Sequence, residues 1–243
     1  MTRVANGHAA GANQIPHQCS VLAPIGGGFS VCGGSVISAN WVLTAAHCTL
    51  PHNQINLRFG TINLWTGGNA QNSFTIVNHP GYNPSNLNND VSLVLIPSAL
   101  PLGPSIQAVR LPTAGQLQTT FTDVQSIVSG WGATGPGSGV QTLLRWVHMR
   151  PIPNAQCVGV YGSAVVVNHV ICALGWTQPQ NQGHCGGDSG GPLTIVEGAF
   201  TTQIGVVSFA AAAGCHLGFP SGYMRTSFFT QWIFGVTGIP VRQ

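Results

Sequence analysis

Short apolar runs separated by turn-forming residues are the feature that most restricts how this 243-residue chain can fold. The runs lie at 32–37, 55–59, 74–77, 91–96, 124–128, 143–149, 194–196 and 203–209. Glycine, proline and asparagine cluster between them, and the chain holds 33 glycines and 16 prolines. Such a pattern favours short strands joined by tight turns over long helices. The sequence therefore predicts an all-β fold, either barrels or a sandwich.

A less regular stretch at 97–122 divides the chain into two halves. It carries four prolines, and we place the boundary near Leu111, between a first half at 4–110 and a second at 111–243. Only the last segment departs from the strand pattern, because its apolar residues recur at helical spacing: Phe228, Phe229, Trp232, Ile233 and Val236. Gly238 and Pro240 end that run, so one terminal amphipathic helix is predicted.

Charge and hydropathy narrow the classes of partner. Seven arginines, no lysine and four acids give a formal charge of +3 without a basic cluster, so we expect no nucleic-acid partner. No apolar run approaches the roughly 20 residues that span a bilayer, so we expect no membrane association, and the N-terminus lacks a signal-like stretch. A lysine-free chain changes its charge little near pH 10, which suits alkaline gut fluid; compositional drift is the alternative explanation.

Three segments together suit nucleophilic catalysis at a carbonyl. Ser189 lies among small residues in Gly-Asp-Ser-Gly-Gly-Pro at 187–192, His47 lies in Thr-Ala-Ala-His-Cys at 44–48, and Asp90 begins Asp-Val-Ser-Leu-Val-Leu-Ile. A serine nucleophile needs a base to take its proton and an acid to orient that base. Asp90 precedes an apolar run, where a carboxylate needs a buried partner.

These segments, with Ser-Gly-Trp-Gly at 129–132, resemble the chymotrypsin-like family of secreted serine proteases. The resemblance covers Val4 through the terminal helix. It implies two antiparallel six-stranded β-barrels with a C-terminal helix and a cleft between the barrels. It also implies that Ser189 attacks the carbonyl, His47 acts as acid and base, and Asp90 holds the imidazole tautomer.

The Gly-x-Ser-x-Gly pattern around Ser189 also matches the nucleophile turn of lipases and esterases. Those α/β-hydrolases carry the acid and histidine after the serine. Only 54 residues follow Ser189, containing Glu197 and His216, and no alternating strand–helix pattern precedes it. Chain order therefore favours the protease interpretation.

The resemblance assigns further roles near the serine. The N–H groups of Gly187 and Ser189 form the oxyanion hole. Cleavage between Arg3 and Val4 frees an amine that pairs with Asp188, which makes 1–3 the remnant of an activation segment. If that remnant stays attached, we expect negligible activity.

The resemblance also places the substrate-binding residues. Gly183 forms the base of the primary pocket and Ser221 its far wall. Ser208, Phe209 and Ala210 offer main-chain groups that pair with the substrate as an added strand. No acid occurs at Gly183 or in 205–223, so apolar side chains such as Leu, Met or Phe are favoured, with Ala as an elastase-like alternative.

Seven cysteines without a CxxC pair favour disulfides over structural zinc. The resemblance pairs Cys32 with Cys48, Cys157 with Cys172 and Cys185 with Cys215, which implies an oxidising compartment. Cys19 is left over in an apolar stretch, where a free buried thiol is favoured over an intermolecular bridge.

We expect no metal or other cofactor. The stretch at 60–74, where several relatives bind calcium, contains no acid. We interpret His184, beside Cys185, as an exposed loop histidine rather than a ligand. The predicted function is a secreted, monomeric, digestive endopeptidase that acts on protein or peptide substrates and binds proteinaceous inhibitors; the alternative is a catalytically silent homologue that serves as a binding protein.

Overall fold

A computed structural model describes residues 7–135, 137–177 and 181–243 and shows a mostly β molecule built from two sheets. Arg3 and Val4, with the predicted activation bond, lie outside the described residues. Among the described residues, no helix is long and apolar enough to cross a membrane.

The first sheet uses strands from the first half of the chain. They are β2 (Gln18–Ile25), β3 (Gly28–Ser38), β4 (Trp41–Thr44), β5 (Ile55–Phe59), β6 (Asn69–Ser73), β7 (Ile76–Asn78) and β8 (Ser92–Leu95). Their order is β6-β5-β2-β3-β4-β8-β7, and all pairs are antiparallel. Only Phe74 and Thr75 separate β6 from β7, although these strands lie at opposite edges. The sheet therefore curls so that one bent segment serves both edges.

The second sheet closes into a barrel of six strands. They are β9 (Ser126–Gly130), β10 (Arg145–Ile152), β11 (Val170–Gly175), β12 (Pro192–Glu197), β13 (Phe200–Phe209) and β14 (Ser221–Arg225). The order β10-β11-β14-β13-β12-β9 is closed by pairing of β9 with β10. The predicted all-β fold is thus confirmed, with one closed barrel of six strands and one curled sheet.

Each end of the chain, as far as the structure describes it, packs against the opposite half of the molecule. The short β1 (His8–Ala9) pairs with β10 in the second sheet, although it opens the first half of the sequence. Conversely, the predicted terminal helix is present as α3 (Thr226–Thr237), and its Phe229 and Trp232 contact His79 of the first half. Gly238 ends α3 in a left-handed conformation, with its N–H bonded to the Phe234 carbonyl.

Two α-helices among the described residues were not predicted. The four-residue α1 (Ala46–Thr49) follows β4 directly, and α2 (Asn154–Tyr161) follows Pro153. Cys157 is the buried residue of α2 and is bonded to Cys172 of β11. The apolar pattern of α2 is weak, and the Cys157–Cys172 disulfide attaches the helix to the barrel.

The chain passes from one sheet to the other between β8 and β9, and the predicted boundary at Leu111 falls in this connection. One large apolar cluster runs through both halves, from Val36 and Leu43 of the first sheet to Val206 and Met224 of the second. The loops that precede β8 and β12 and follow β4 meet beside this shared core.

Candidate active site

Strand pairing brings His47 and Asp90 together. β4 pairs with β8 so that Thr44 lies opposite Ser92. His47 follows β4 by one helical turn, and Asp90 precedes β8 by two residues, so both lie at the same end of this strand pair. The predicted base and its orienting acid are therefore set by two adjacent strands.

A fully buried carboxylate holds His47 in one orientation. Asp90 Oδ2 lies 2.7 Å from His47 Nδ1, and Asp90 Oδ1 accepts the His47 backbone N–H at 2.9 Å. The Asp90 side chain is 0% exposed, whereas that of His47 is 28% exposed. With the Nδ1 hydrogen directed at the carboxylate, Nε2 keeps a lone pair that can take a proton.

Ser208 supplies a third contact to this carboxylate. Its hydroxyl donates to Asp90 Oδ2 at 2.6 Å, and the residue is buried. The resemblance places Ser208 in substrate pairing through its main chain, and no sequence motif indicates this side-chain role. A bond across 118 residues leaves no local pattern, so it emerges only from the packed structure.

The loop that carries Ser189 is fastened to the first sheet beside His47. The Gly33 N–H donates to the Ser189 carbonyl at 2.8 Å. Gly190 adopts a φ of +77°, and an added Cβ would lie 2.1 Å from Thr44 Oγ1 and 3.0 Å from the Ala45 nitrogen. Thr44 and Ala45 immediately precede the turn that carries His47. Backbone contact thus places the serine loop against the histidine turn, and only glycine fits at the contact.

The two predicted oxyanion donors are available. Within the described parts of the chain, neither the Gly187 N–H nor the Ser189 N–H donates an internal hydrogen bond. The intervening Asp188 N–H donates to the Cys185 carbonyl, and the following Gly190 N–H donates to the Val207 carbonyl. Gly187 has a φ of +97°, a conformation that favours glycine. These two free donors, one on each side of the engaged Asp188 N–H, can stabilise a developing negative oxygen.

Asp188 is buried in a cage of backbone. Its carboxylate accepts the Gly132 N–H at 2.7 Å and the Cys185 N–H at 2.9 Å. An added Cβ would lie 2.2 Å from this carboxylate at Gly130 and 2.5 Å at Gly132, which explains the two glycines of the Ser-Gly-Trp-Gly segment. Burial raises the pKa of Asp188 to about 6, against the lowering effect of both N–H bonds.

The predicted pocket residues converge. A Cβ added at Gly183 would lie 3.3 Å from Ser221 Oγ and 3.4 Å from the Cys215 carbonyl oxygen. The ring of Phe209 lies over Gly222, where an added Cβ would be 2.1 Å away, and stacks edge-on against Tyr161 at 5.0 Å. The Tyr161 hydroxyl in turn donates to the Pro220 carbonyl. Ala210, immediately after β13, is half-buried.

His184 does not behave as predicted. It is 3% exposed rather than an exposed loop residue, and its ring stacks edge-on against the buried Tyr223 at 5.2 Å. Burial lowers the pKa of His184 to about 3, a contact with the Phe209 backbone opposes this shift, and the charge of His47 adds to it. The expectation was wrong because the Cys185–Cys215 disulfide folds this segment inward. His184 is therefore a neutral part of the pocket region.

The disulfides are those implied by the resemblance: Cys32–Cys48, Cys157–Cys172 and Cys185–Cys215. Cys19 is a free, fully buried thiol, and burial raises its pKa strongly. The sulfurs of Cys32 and Cys48 lie near His47, but as disulfide sulfurs they offer no thiolate to a metal.

Comparison with known proteins agrees with this geometry. The family model described as Trypsin matches residues 4–233. The chain is 33% identical over 238 residues to a collagenase of Hypoderma lineatum, covering 98% of this chain and 88% of that one. It is also 33% identical over 244 residues to brachyurin of Leptuca pugilator, covering 97% and 99%. A solved structure of HL collagenase matches with a TM-score of 0.88 and 33% identity, covering 97% of this chain and 99% of that chain.

The matched segment includes every predicted catalytic residue, and the relatives are named proteases. Members of the matched family are hydrolases that use a Ser-His-Asp triad. The chain therefore belongs to the trypsin family of serine endopeptidases.

Proposed function

We propose that this chain is a secreted digestive endopeptidase that cleaves after apolar residues, with Ser189, His47 and Asp90 as its triad. Ser189 attacks the scissile carbonyl while His47 Nε2 takes its proton and later returns it to the leaving amine. Asp90 stabilises the imidazolium formed between these steps. The N–H groups of Gly187 and Ser189 receive the oxygen that becomes negative.

One observation carries the specificity: each of the four acids is engaged by other groups of the protein, and the atoms nearest a Cβ at Gly183 belong to Ser221 and Cys215. Asp90 binds His47, Asp123 pairs with Arg150 at 3.2 Å, Asp188 accepts backbone N–H groups, and Glu197 accepts from Gln116 and Thr202. A lysine or arginine side chain in the pocket would therefore be buried without a countercharge. Substrate side chains that need no charge partner are preferred, and Leu, Met, Phe or Ala fit this requirement.

Asp188 supports activation by cleavage at Arg3–Val4. It is a buried carboxylate, and the ion pairs among the described residues involve only Asp90 and Asp123. A buried anion of this kind is stabilised by a cation, which the freed Val4 amine would supply. We expect an activated monomer that acts in an oxidising extracellular fluid and whose cleft is open to proteinaceous inhibitors.

The test is a peptide-library digest with protein cut at Arg3–Val4. Cleavage after apolar residues is expected, and the Ser189→Ala variant should be inactive. Gly183→Asp should shift preference towards lysine and arginine, because a Cβ at Gly183 meets only ordinary to slightly tight contacts. Gly183→Asn adds similar volume without charge and serves as the matched control. Wild-type cleavage mainly after lysine or arginine would contradict the specificity.

A further inference from the structure

Two histidines lie on either side of the short segment that carries Asp90. The Asn89 N–H donates to His169 Nε2 at 3.4 Å, just before Asp90. The His79 N–H donates to the Val91 carbonyl at 3.0 Å, just after it. These histidines come from different halves of the chain, so the acid is held from both.

The side chain of Asn89 joins the two histidines into one network. Asn89 Nδ2 donates to the Gly81 carbonyl at 2.8 Å, and the Gly81 N–H donates to His79 Nδ1 at 3.1 Å. Both imidazoles therefore serve as hydrogen-bond acceptors, His79 through Nδ1 and His169 through Nε2. A protonated ring nitrogen cannot accept, so the network requires the neutral form of each. Asn89 itself has a φ of +58°, a left-handed conformation that the network fixes.

Helix α3 fixes the two rings. His79 stacks edge-on against Phe229 at 5.5 Å and Trp232 at 5.0 Å. His169 contacts Phe228 at 5.1 Å and Phe229 at 5.9 Å. Phe229 thus packs against both imidazoles, so one residue of α3 contacts both rings.

Arg225 fixes the backbone around His169. The backbone N–H of Arg225 donates to the His169 carbonyl at 2.8 Å. Its guanidinium donates to the Asn168 carbonyl at 3.1 Å and to the Val170 carbonyl at 3.0 Å. The imidazole of His169 therefore projects from a backbone segment that is held on both sides.

We propose that His169 and His79, as neutral acceptors, are positioning residues that hold Asn89 and thereby place the Asp90 carboxylate for His47. This inference rests on the proposed triad. Neither histidine touches the substrate or the reacting atoms. Their effect passes through the backbone of Asn89 and Val91, which sets the direction of the carboxylate between them.

The surroundings favour the neutral imidazoles. Burial lowers the pKa of both histidines below the ordinary value of 6.5, and the charge of His79 further lowers that of His169. The titratable and charged groups around them are each other, Arg225, Tyr82 and the Asp90–His47 pair, while α3 carries none. The negative charge of Asp90 favours a protonated imidazole nearby, but the Asp90 carboxylate is already hydrogen-bonded to His47 and Ser208. Because the folded state binds these two protons less well than the unfolded chain, the hydrogen bonds accepted by His79 and His169 are complete above pH 6.5 and are lost as pH falls through the lowered pKa values of the two histidines.

The experiment compares His169→Gln and His169→Phe in protein cut at Arg3–Val4, with active sites counted by a burst titrant so that misfolded molecules are excluded. Phe keeps the ring but removes the acceptor, so kcat per active site should fall about tenfold with KM within about twofold. Gln keeps an acceptor that does not titrate, so the variant should retain most of kcat. On the acid side, the slope of log kcat/KM against pH should fall by about one, because one fewer group takes up a proton. His148→Gln is the matched control, since His148 lies on β10 against Trp146 and its pKa is likewise lowered by burial.

Wild-type kcat in His169→Phe, or an unchanged acid limb in His169→Gln, would overturn the inference. A second readout does not depend on turnover. In Ser189→Ala protein at pH 8, imidazole ¹⁵N resonances should show His169 with the proton on Nδ1 and His79 with the proton on Nε2. The opposite tautomer of His169 would refute the network even if the enzyme is active, whereas an inactive wild type with the expected tautomers would refute only the proposed function.

Discussion

Removal of the Cys185–Cys215 disulfide should damage the site as well as the fold. Cys185 follows the predicted pocket base, and its N–H donates to the Asp188 carboxylate. The Cys215 carbonyl lies 3.4 Å from the position of a Cβ on Gly183. The bridge therefore joins the segment that carries the pocket base and the oxyanion donors to the opposite wall.

The cost in stability follows from the length of the closed loop. Cys185 and Cys215 are 30 residues apart, which gives about 3.6 kcal/mol from chain entropy. Cys157 and Cys172 are 15 apart and give about 3.0 kcal/mol. The second bridge joins α2 to β11, which carry no member of the proposed triad. The two double alanine variants should thus lose similar stability but differ in activity.

The free energy of unfolding is measured by urea titration in the Ser189→Ala background, where self-digestion is blocked. Activity is measured with Ser189 intact at a temperature well below unfolding. We expect kcat/KM to fall at least tenfold in Cys185→Ala/Cys215→Ala and to stay within about threefold in Cys157→Ala/Cys172→Ala. Equal activity in the two variants would refute the argument that the first bridge shapes the site.

Three further changes test other parts of the site. Ser208→Ala removes one donor from the buried Asp90 carboxylate and should lower both stability, by about 1.5–3 kcal/mol, and kcat, with little change in KM; unchanged kinetics would remove its positioning role. Gly190→Ala should cost more than the roughly 1–2 kcal/mol of a left-handed alanine, because its Cβ would lie 2.1 Å from Thr44 Oγ1, and should lower kcat/KM at least a hundredfold; near-normal activity would show that the loop has room. Asp188→Asn should become more stable relative to uncleaved wild type as pH rises from 4 to 7, by up to about 3 kcal/mol. The reason is that the Asp188 carboxyl, whose pKa is raised from 3.8 to about 6, destabilises the folded wild type as pH rises from the first value to the second. A stability difference that does not change with pH, measured by urea unfolding, would count against this reading.

Local patterns indicated the terminal helix and the segments around His47, Asp90 and Ser189, and the apolar runs located eight of the fourteen strands among the described residues. The other six strands, β1, β2, β4, β6, β11 and β14, lie outside those runs. Short alternating runs identify strands because one face of each must be buried. The helical spacing of Phe229 and Ile233 identified α3, and both residues are buried. Phe228, counted in the same run, is 48% exposed and contacts His169 instead of the core.

What the sequence did not disclose depends on contacts between distant segments. The bond from Ser208 to Asp90 and that from Asn89 to His169 span 118 and 80 residues. The inward position of His184 depends on a disulfide, and α2 has no apolar stripe to mark it. None of these features has a periodicity or a spacing that a linear pattern could reveal.

The exchange of chain termini between the halves has a consequence for how this molecule can be divided. β1 belongs to the second sheet, and α3 packs its Phe229 and Trp232 against His79 of the first half. If the chain were cut after Leu111, the fragment of the second half would lack β1, which pairs with β10. The fragment of the first half would lack α3, which covers His79. Each half is thus completed by a piece encoded at the far end of the other, so we expect separately expressed halves to remain insoluble alone and to recover a native fold only when mixed.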